Sequence, residues 1–356
     1  MSALPLRVSP ARARVLQRFA VAAVILVGLA LPFMLTKFTL FQASLILALA
    51  IGILGLNLLV GYGGQVSLGH GFFIALGGYT SAILMTTAGW DFFPSLIAVA
   101  VISGGAGLLL GFPALRLRGL YLALATLALA VSTVPVLRRF EELTGGVQGI
   151  RVPRAAWLTE SPLGRDATIY YIVLIAAILA AWFVSRVVSG YSGLAIATVK
   201  SNEIVARSQG INTARWKTVL FAFSGMLAGL SGAFTVLTVG FIAPESVGVM
   251  LSIYLLAGVV IGGLGSVSGA FIGAIVVHLL PQLAADVSPG LSGTIFGAAI
   301  LLIMFLMPGG FVELVKRLFR RVLVVDAGRT RPPSTDGPAT PVETQTVEPG
   351  TEKVAG

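Results

Sequence analysis

The sequence predicts an all-α fold, a polytopic membrane helix bundle of about ten transmembrane helices with both termini cytoplasmic. Three observations lead there. The 356-residue chain is 56% hydrophobic and only 11% charged, against about 25% charged in soluble domains. Apolar runs long enough to cross a bilayer, about 20 residues each, recur along most of its length. Its basic residues punctuate those runs instead of forming one patch, so the net charge of +10 reads as membrane topology and not as a nucleic-acid surface.

The expected spans cover about 19–36, 40–60, 66–86, 94–113, 119–137, 168–189, 217–240, 249–264, 267–285 and 291–312. An even count puts both ends on one side. That side then holds Arg7, Arg12, Arg14 and Arg18, the loops with Arg116, Arg118, Arg186, Lys200, Arg207, Arg215 and Lys217, and the basic residues from Lys316 onward. The opposite side holds mainly the loop 138–167, where Arg138, Arg139, Arg151, Arg154 and Arg165 mix with four acids. The positive-inside rule assigns the first side to the cytoplasm. The first apolar run reads as a retained span, because it exceeds a signal-peptide core and TKFTLF after it lacks a small-x-small cleavage site. The chain then divides into a basic cytoplasmic N-terminus, 1–18, a membrane domain, 19–325, and a Pro-, Thr- and Gly-rich tail, 326–356, expected to be disordered. Within the membrane domain lie an outer loop, 138–167, and a cytoplasmic segment, 190–217.

Several chemistries are excluded early. The chain has no cysteine, so disulfides, thiolate metal sites and cysteine nucleophiles are out. His70 and His278 are far apart and form no local metal motif. The string G-x-x-x-x-G-K-[ST] does not occur; TVKSN, at Thr198–Asn202, has Val199 where the glycine belongs. No cofactor or metal is expected, and no covalent chemistry is asked of this chain.

Inside the apolar sequence sits GYGGQVSLGHGFFIALGGY, Gly61–Tyr79. Backbone polar groups in hydrocarbon must be satisfied, so a Gly-rich turn there is buried in protein, lines a water-filled cavity or lies at the interface. A turn is expected at Gly61, Gly63 and Gly64, with a helix from about Val66. Ser67, Gly71, Ala75 and Gly78 then form a small-residue face suited to close helix approach. Asn57, Gly63, Gly64, Gln65, Ser67 and His70 are the candidates for lining a translocation pathway. For Gln65 and His70 a second reading stays open: satisfying neighbouring backbone groups near the membrane edge. Similar small-residue spacing occurs at Gly225, Ala228, Gly229 and Gly232, and at Gly262, Ser266, Gly269 and Gly273. GGQVSLGHGFFIALGG and GGLGSVSGAFIGA are loosely alike, as an internal duplication would make them.

The segment GYSGLAIATVKSNEIVARSQGINTARWK, 190–217, interrupts the cytoplasmic face. Ser201 or Asn202 is a fitting N-cap, Asn202–Gln209 makes about two helical turns, and Gly210 stops them. Ile204 and Val205 form an apolar side; Lys200, Glu203 and Arg207 form a polar one. So short a helix needs a partner to be stable. Two readings follow: an amphipathic helix on the membrane surface, or a peg for a cytoplasmic motor subunit.

Several blocks carry a resemblance. GLNLLVGYGGQVSLGHGFFIALGGYTSAIL, RLRGLYLALATLAL, LTGGVQGI, VKSNEIVARSQGINTARWKTVLFAFSGMLAGLSGAF and GVVIGGLGSVSGAFIGAIVV resemble, in order, the M-type permease subunits of branched-chain amino acid ABC importers. The likeness covers about residues 45–285. It implies a passage shared with a second, H-type permease subunit, two cytoplasmic ATPase subunits that use the ATP, and a periplasmic or surface solute-binding protein, all at a bacterial plasma (inner) membrane. It implies that Ser201, Asn202, Glu203, Ala206, Arg207 and Gly210 couple the chain to the ATPase, the E-x-x-A-x-x-x-G pattern being intact at Glu203, Ala206 and Gly210. The solute would be a branched-chain amino acid or a similar small molecule, with urea or short amides as the alternative. An ion-coupled secondary transporter is the rival from another class. Against proton coupling, Glu245 and Asp286 fall at predicted span ends and the span centres are almost free of charge.

Overall fold

A computed structural model of the chain describes residues 6–8, 23, 26–117, 119–153, 158, 161–307, 309–314 and 323–325. The tail 326–356 and most of the basic N-terminus therefore lie outside the described residues.

The membrane region is ordered by α1 Lys37–Asn57, α2 His70–Thr86, α3 Phe92–Ala114, α4 Leu120–Arg139, α5 Arg165–Val187, α6 Gly190–Ser201, α7 Glu203–Ser208, α8 Thr213–Val239, α9 Val249–Gly262, α10 Val267–Val287 and α11 Ser292–Leu306. Among the described residues, seven helical stretches are long and apolar enough to cross a membrane: 37–62, 92–114, 120–139, 165–187, 213–239, 244–262 and 267–286. Two other expected spans correspond to shorter helices, α2 with 17 residues and α11 with 15. The expected span 19–36 is represented by a helical stretch at 26–34. Tyr170 and Tyr171 of α5 donate hydrogen bonds to the Gly28 and Leu29 carbonyls in that stretch, each at 2.9 Å.

The centre of the bundle is α8, which packs against α3, α2 and α1. Its face Gly225, Ala228, Gly229 and Gly232 is buried, as the spacing predicts. A Cβ on Gly225 would stand 2.9 Å from the Phe73 ring, and one on Gly77 of α2 would overlap the Gly229 backbone. In lipid, apolar side chains gain little by leaving their surroundings, so close backbone approach through small residues holds helices together. Phe73 meets Phe221 and Phe92 meets Phe234 edge-on, with ring centroids 6.1 and 5.7 Å apart. These contacts fill the space between α2, α3 and α8 at a favourable aromatic geometry.

A second layer forms around α1, whose run from Ala48 to Asn57 is buried but for Leu49. It is apolar all round because it is covered all round, by α8, α5 and α10. The pattern Gly262, Ser266, Gly269, Gly273 does not form one helix face. The chain breaks at 263–266, and the glycines meet across the α9–α10 hairpin, where Gly262 abuts Gly269 and Gly258 abuts Gly273. The outer surfaces of α3 and α4 present Ile97, Val101, Leu109, Phe112 and Leu120, apolar side chains of the kind a membrane bundle leaves exposed.

The described part of the loop 138–167 is built around one strand pair. Strand β1, Ile150–Arg151, runs antiparallel to β2, Phe241–Ile242, in the register Ile150 to Ile242. Arg138 at the end of α4 pairs with Glu245. Together they fasten the loop to the turn between α8 and α9.

Candidate functional site

The candidate residues fall in two regions: a junction of broken helices, and the α6–α7 appendage.

The junction begins where α1 loosens into a π-helical turn, Leu58–Tyr62. Of the three turn glycines, Gly64 takes the left-handed conformation, φ +67°, whereas Gly61 stays in the π-turn and Gly63 is right-handed. From Gln65 to Gly69 the chain is not helical, so α2 starts at His70 and not near Val66. The delay has a physical cause. Thr126 Oγ1 accepts from Leu68 N at 2.9 Å and Ser67 Oγ accepts from Gly69 N at 3.3 Å. Those N–H groups are satisfied without helix, and Ser252 Oγ takes Gly71 N at 2.8 Å, one of the donors that a helix start leaves open.

Each pathway candidate has a definite place here. Asn57 is buried; its Oδ1 accepts from Gly265 N and its Nδ2 donates to Ser266 O, both at 2.8 Å. It thereby ties the broken end of α1 to the turn before α10. Gly63 packs on Leu220, and Gly64 lies against the Lys200 stem. Gln65 Nε2 donates to Lys217 O at 3.3 Å. Ser67 Oγ and His70 Nδ1 are 3.2 Å apart, and His70 Nε2 is 2.6 Å from Ser224 Oγ, which donates to Gly55 O at 2.6 Å. Because the Ser224 proton is used on Gly55 O, the ring proton of His70 belongs on Nε2, leaving Nδ1 to accept from Ser67. His70 and Ser67 are fully buried. The imidazole thus links the α2 start to α8 and, through Ser224, to α1.

Residues 190–201, expected only as part of a polar interruption, form helix α6. Asn202 caps α7, its Oδ1 accepting from Ile204 N at 2.9 Å and Val205 N at 3.2 Å, while Ser201 Oγ bonds Thr198 O at the end of α6. Gly210, φ +77°, ends the unit with Gly210 N on Arg207 O and Ile211 N on Ala206 O, the Schellman pattern. Ala206 is fully buried. Glu203 pairs with Lys217 of α8 and lies 3.6 Å from Arg207. Arg207 Nε donates to Thr213 Oγ1 at 3.2 Å, and Lys200 Nζ donates to Gly61 O at 2.6 Å. Much of the charged side is therefore engaged with the bundle, and Ile204 and Val205 stand 79% and 44% exposed.

Sequence reading missed Thr126, Lys217, Ser224 and Ser252 as partners of the junction. For Thr126, Ser224 and Ser252 the available signal was only a hydroxyl among apolar neighbours, and Lys217 joins through its backbone carbonyl, which sequence does not mark. Among the described residues, no group of three His, Cys, Asp or Glu could hold a metal ion.

Long apolar spans packed through small residues, with polar groups gathered where helices break, define a multi-pass membrane protein of the transporter class. The chain belongs to the family described as branched-chain amino acid transport system / permease component, whose profile matches residues 35–304. It is 32% identical to the high-affinity branched-chain amino acid transport system permease protein LivM of Escherichia coli strain K12, over 84% of this chain and 76% of that one. It is 24% identical to the LivH permease protein of the same strain, over 73% of this chain and 89% of that one. A shorter match, 32% over 38% of this chain and 37% of the relative, is to the autoinducer 2 import system permease protein LsrC of Enterobacter strain 638. No solved structure matches the chain.

Proposed function

We propose that this permease forms one half of the passage of an ATP-driven importer for branched-chain amino acids, in the inner membrane, beside a second, H-type permease. ATP is used by two cytoplasmic ATPase subunits, and a solute-binding protein delivers cargo to the outer face around 138–167. Family membership and the likeness to LivM and LivH support the class and the pairing. The single observation that carries the coupling role is the outward apolar pair of α7. Ile204 and Val205 project from a capped two-turn helix whose Glu203 is tied back to Lys217 and whose Ala206 is buried. Such a helix is not stable alone; anchored this way, it offers a firm apolar knob to a groove on a motor subunit. Ser201, Asn202, Glu203, Ala206, Arg207 and Gly210 build that knob. Asn57, Gly63, Gly64, Gln65, Ser67 and His70 form the polar junction beside the route taken by the solute.

The test is assembly with the cognate ATPase subunits. Ile204→Asp with Val205→Asp replaces the knob by two charges at exposed positions, so the bundle keeps its melting temperature while ATPase association falls at least tenfold, roughly the effect of losing one good interface anchor. Association at the unmodified level would end the assignment of α7 as the coupling element.

A further inference from the structure

We propose that Lys200 is the strut that carries movement of the α6–α7 unit to the broken helix ends within the membrane. It is a positioning residue of the transport cycle, and the proposal rests on α7 being the ATPase contact.

The geometry points there in three ways. First, Lys200 Nζ reaches Gly61 O at 2.6 Å and its stem lies along Gly64, so a residue from the cytoplasmic appendage ends on the backbone of the break. The last carbonyls of a helix are unpaired and partly negative, which favours a cation at that place. Second, Gly61 is the point where the two broken ends touch. A Cβ there would overlap both Asn57 Oδ1 and Gly265 N, and the Asn57 side chain already holds Gly265 N and Ser266 O. A push on Gly61 therefore reaches α1 and α10 together. Third, the surroundings are loose. A cleft of about 380 Å³ opens between α6 and the junction, lined by Gly61, Tyr62, Ile196, Lys200, Leu264 and Gly265. Lys200 lines this cleft, which leaves α6 room to move and lets the ammonium draw the Gly61 carbonyl along with it.

Among the described residues, the bonds of Glu203, Arg207 and Gln65 given above lead to α8. Glu203 binds Lys217, and Arg207 binds Thr213; both partners belong to the first turns of α8, which makes α7 and the start of α8 one body. Gln65 Nε2 on Lys217 O, at 3.3 Å, joins the break to α8 and not to α6. Lys200 provides the bond from α6 itself.

The experiment uses the full complex in proteoliposomes, with ATPase subunits and binding protein, and reads solute moved per ATP hydrolysed. Lys200→Met keeps the stem and removes the donor. The expected result is an assembled complex that still hydrolyses ATP while the ratio falls about tenfold, the fold-change that a lost charge-assisted hydrogen bond corresponds to. Lys200→Arg, which can still donate to Gly61 O, restores much of it. An unchanged ratio in Lys200→Met overturns the proposal. So does loss of assembly or folding in that variant, because Lys200 would then support the docking surface and not transmit from it. Failure of the docking reading looks different: the α7 double variant, with Lys200 intact, would bind ATPase normally.

Discussion

At the residue scale, the most constrained group is the relay Ser67, His70, Ser224 and Gly55. Its polar atoms depend on one another and not on solvent, since Ser67, His70 and Ser224 are fully buried. Ser224→Ala removes a hydroxyl that serves two groups at once and strands His70 Nε2, while Gly55 O keeps only its bond from Leu58 N. The expected loss is about 1–3 kcal/mol, the range for stranding a buried hydrogen-bonding group, read as a lowered thermal midpoint in detergent. Gly229 is constrained by shape instead. Its missing side chain makes room for Ser103 of α3, so Gly229→Val forces α3 and α8 apart. Overpacking costs about 1–3 kcal/mol or more, and the variant should yield markedly less monodisperse protein than Ala228→Gly, which removes bulk from the same face. The glycines of this face were legible in the sequence because spacing alone marks them. Ser224 was not, because one serine in an apolar span looks the same whether it bonds its own helix or a histidine on another.

At the element scale, α7 shows what a cap can do for six residues. Asn202→Ala removes both side-chain bonds to Ile204 N and Val205 N, a loss of about 1 kcal/mol. That is small for the bundle and large for a helix of two turns. The expected outcome is weaker ATPase association with an unchanged melting temperature, and Asn202→Asp, an equivalent cap, retains wild-type association. Gly210, and an N-cap at Ser201 or Asn202, were readable in advance, since cap chemistry is local and needs no knowledge of the fold; the structure selects Asn202. The direction in which α7 faces was not. Periodicity separates Ile204 and Val205 from Glu203 and Arg207, but only the position of Lys217 and Gly61 in space decides which side turns inward. The start of α2 was misplaced for a related reason: Val66–Gly69 fits a helix by composition, yet Thr126, 58 residues from Leu68 in sequence, satisfies the backbone without one.

At the scale of the whole molecule, the architecture follows from the solvent. Charge is sparse, the helices meet through glycine, and backbone that leaves the helix is bonded by Asn57, Ser67, Thr126 and Ser252. The polar junction and the appendage lie together, joined by Lys200 and Lys217, so a force applied at α7 has a short path into the spans. Composition and apolar run length made the bundle and most of its spans legible, and the resemblance in the blocks between about 45 and 285 made the family legible. The pairing of the two broken ends through Asn57 was beyond sequence reading, because residues 57 and 265 come together only once α1 and α10 are packed.

In the function proposed above, this chain supplies a passage and takes its energy from a motor docked on α7. Uptake of radiolabelled leucine into proteoliposomes tests it most directly, comparing the chain alone with the chain reconstituted alongside its permease partner, ATPase subunits and binding protein. Uptake is expected only in the full assembly and only with ATP, indifferent to imposed proton or sodium gradients. Gradient-driven accumulation by the chain alone would contradict it.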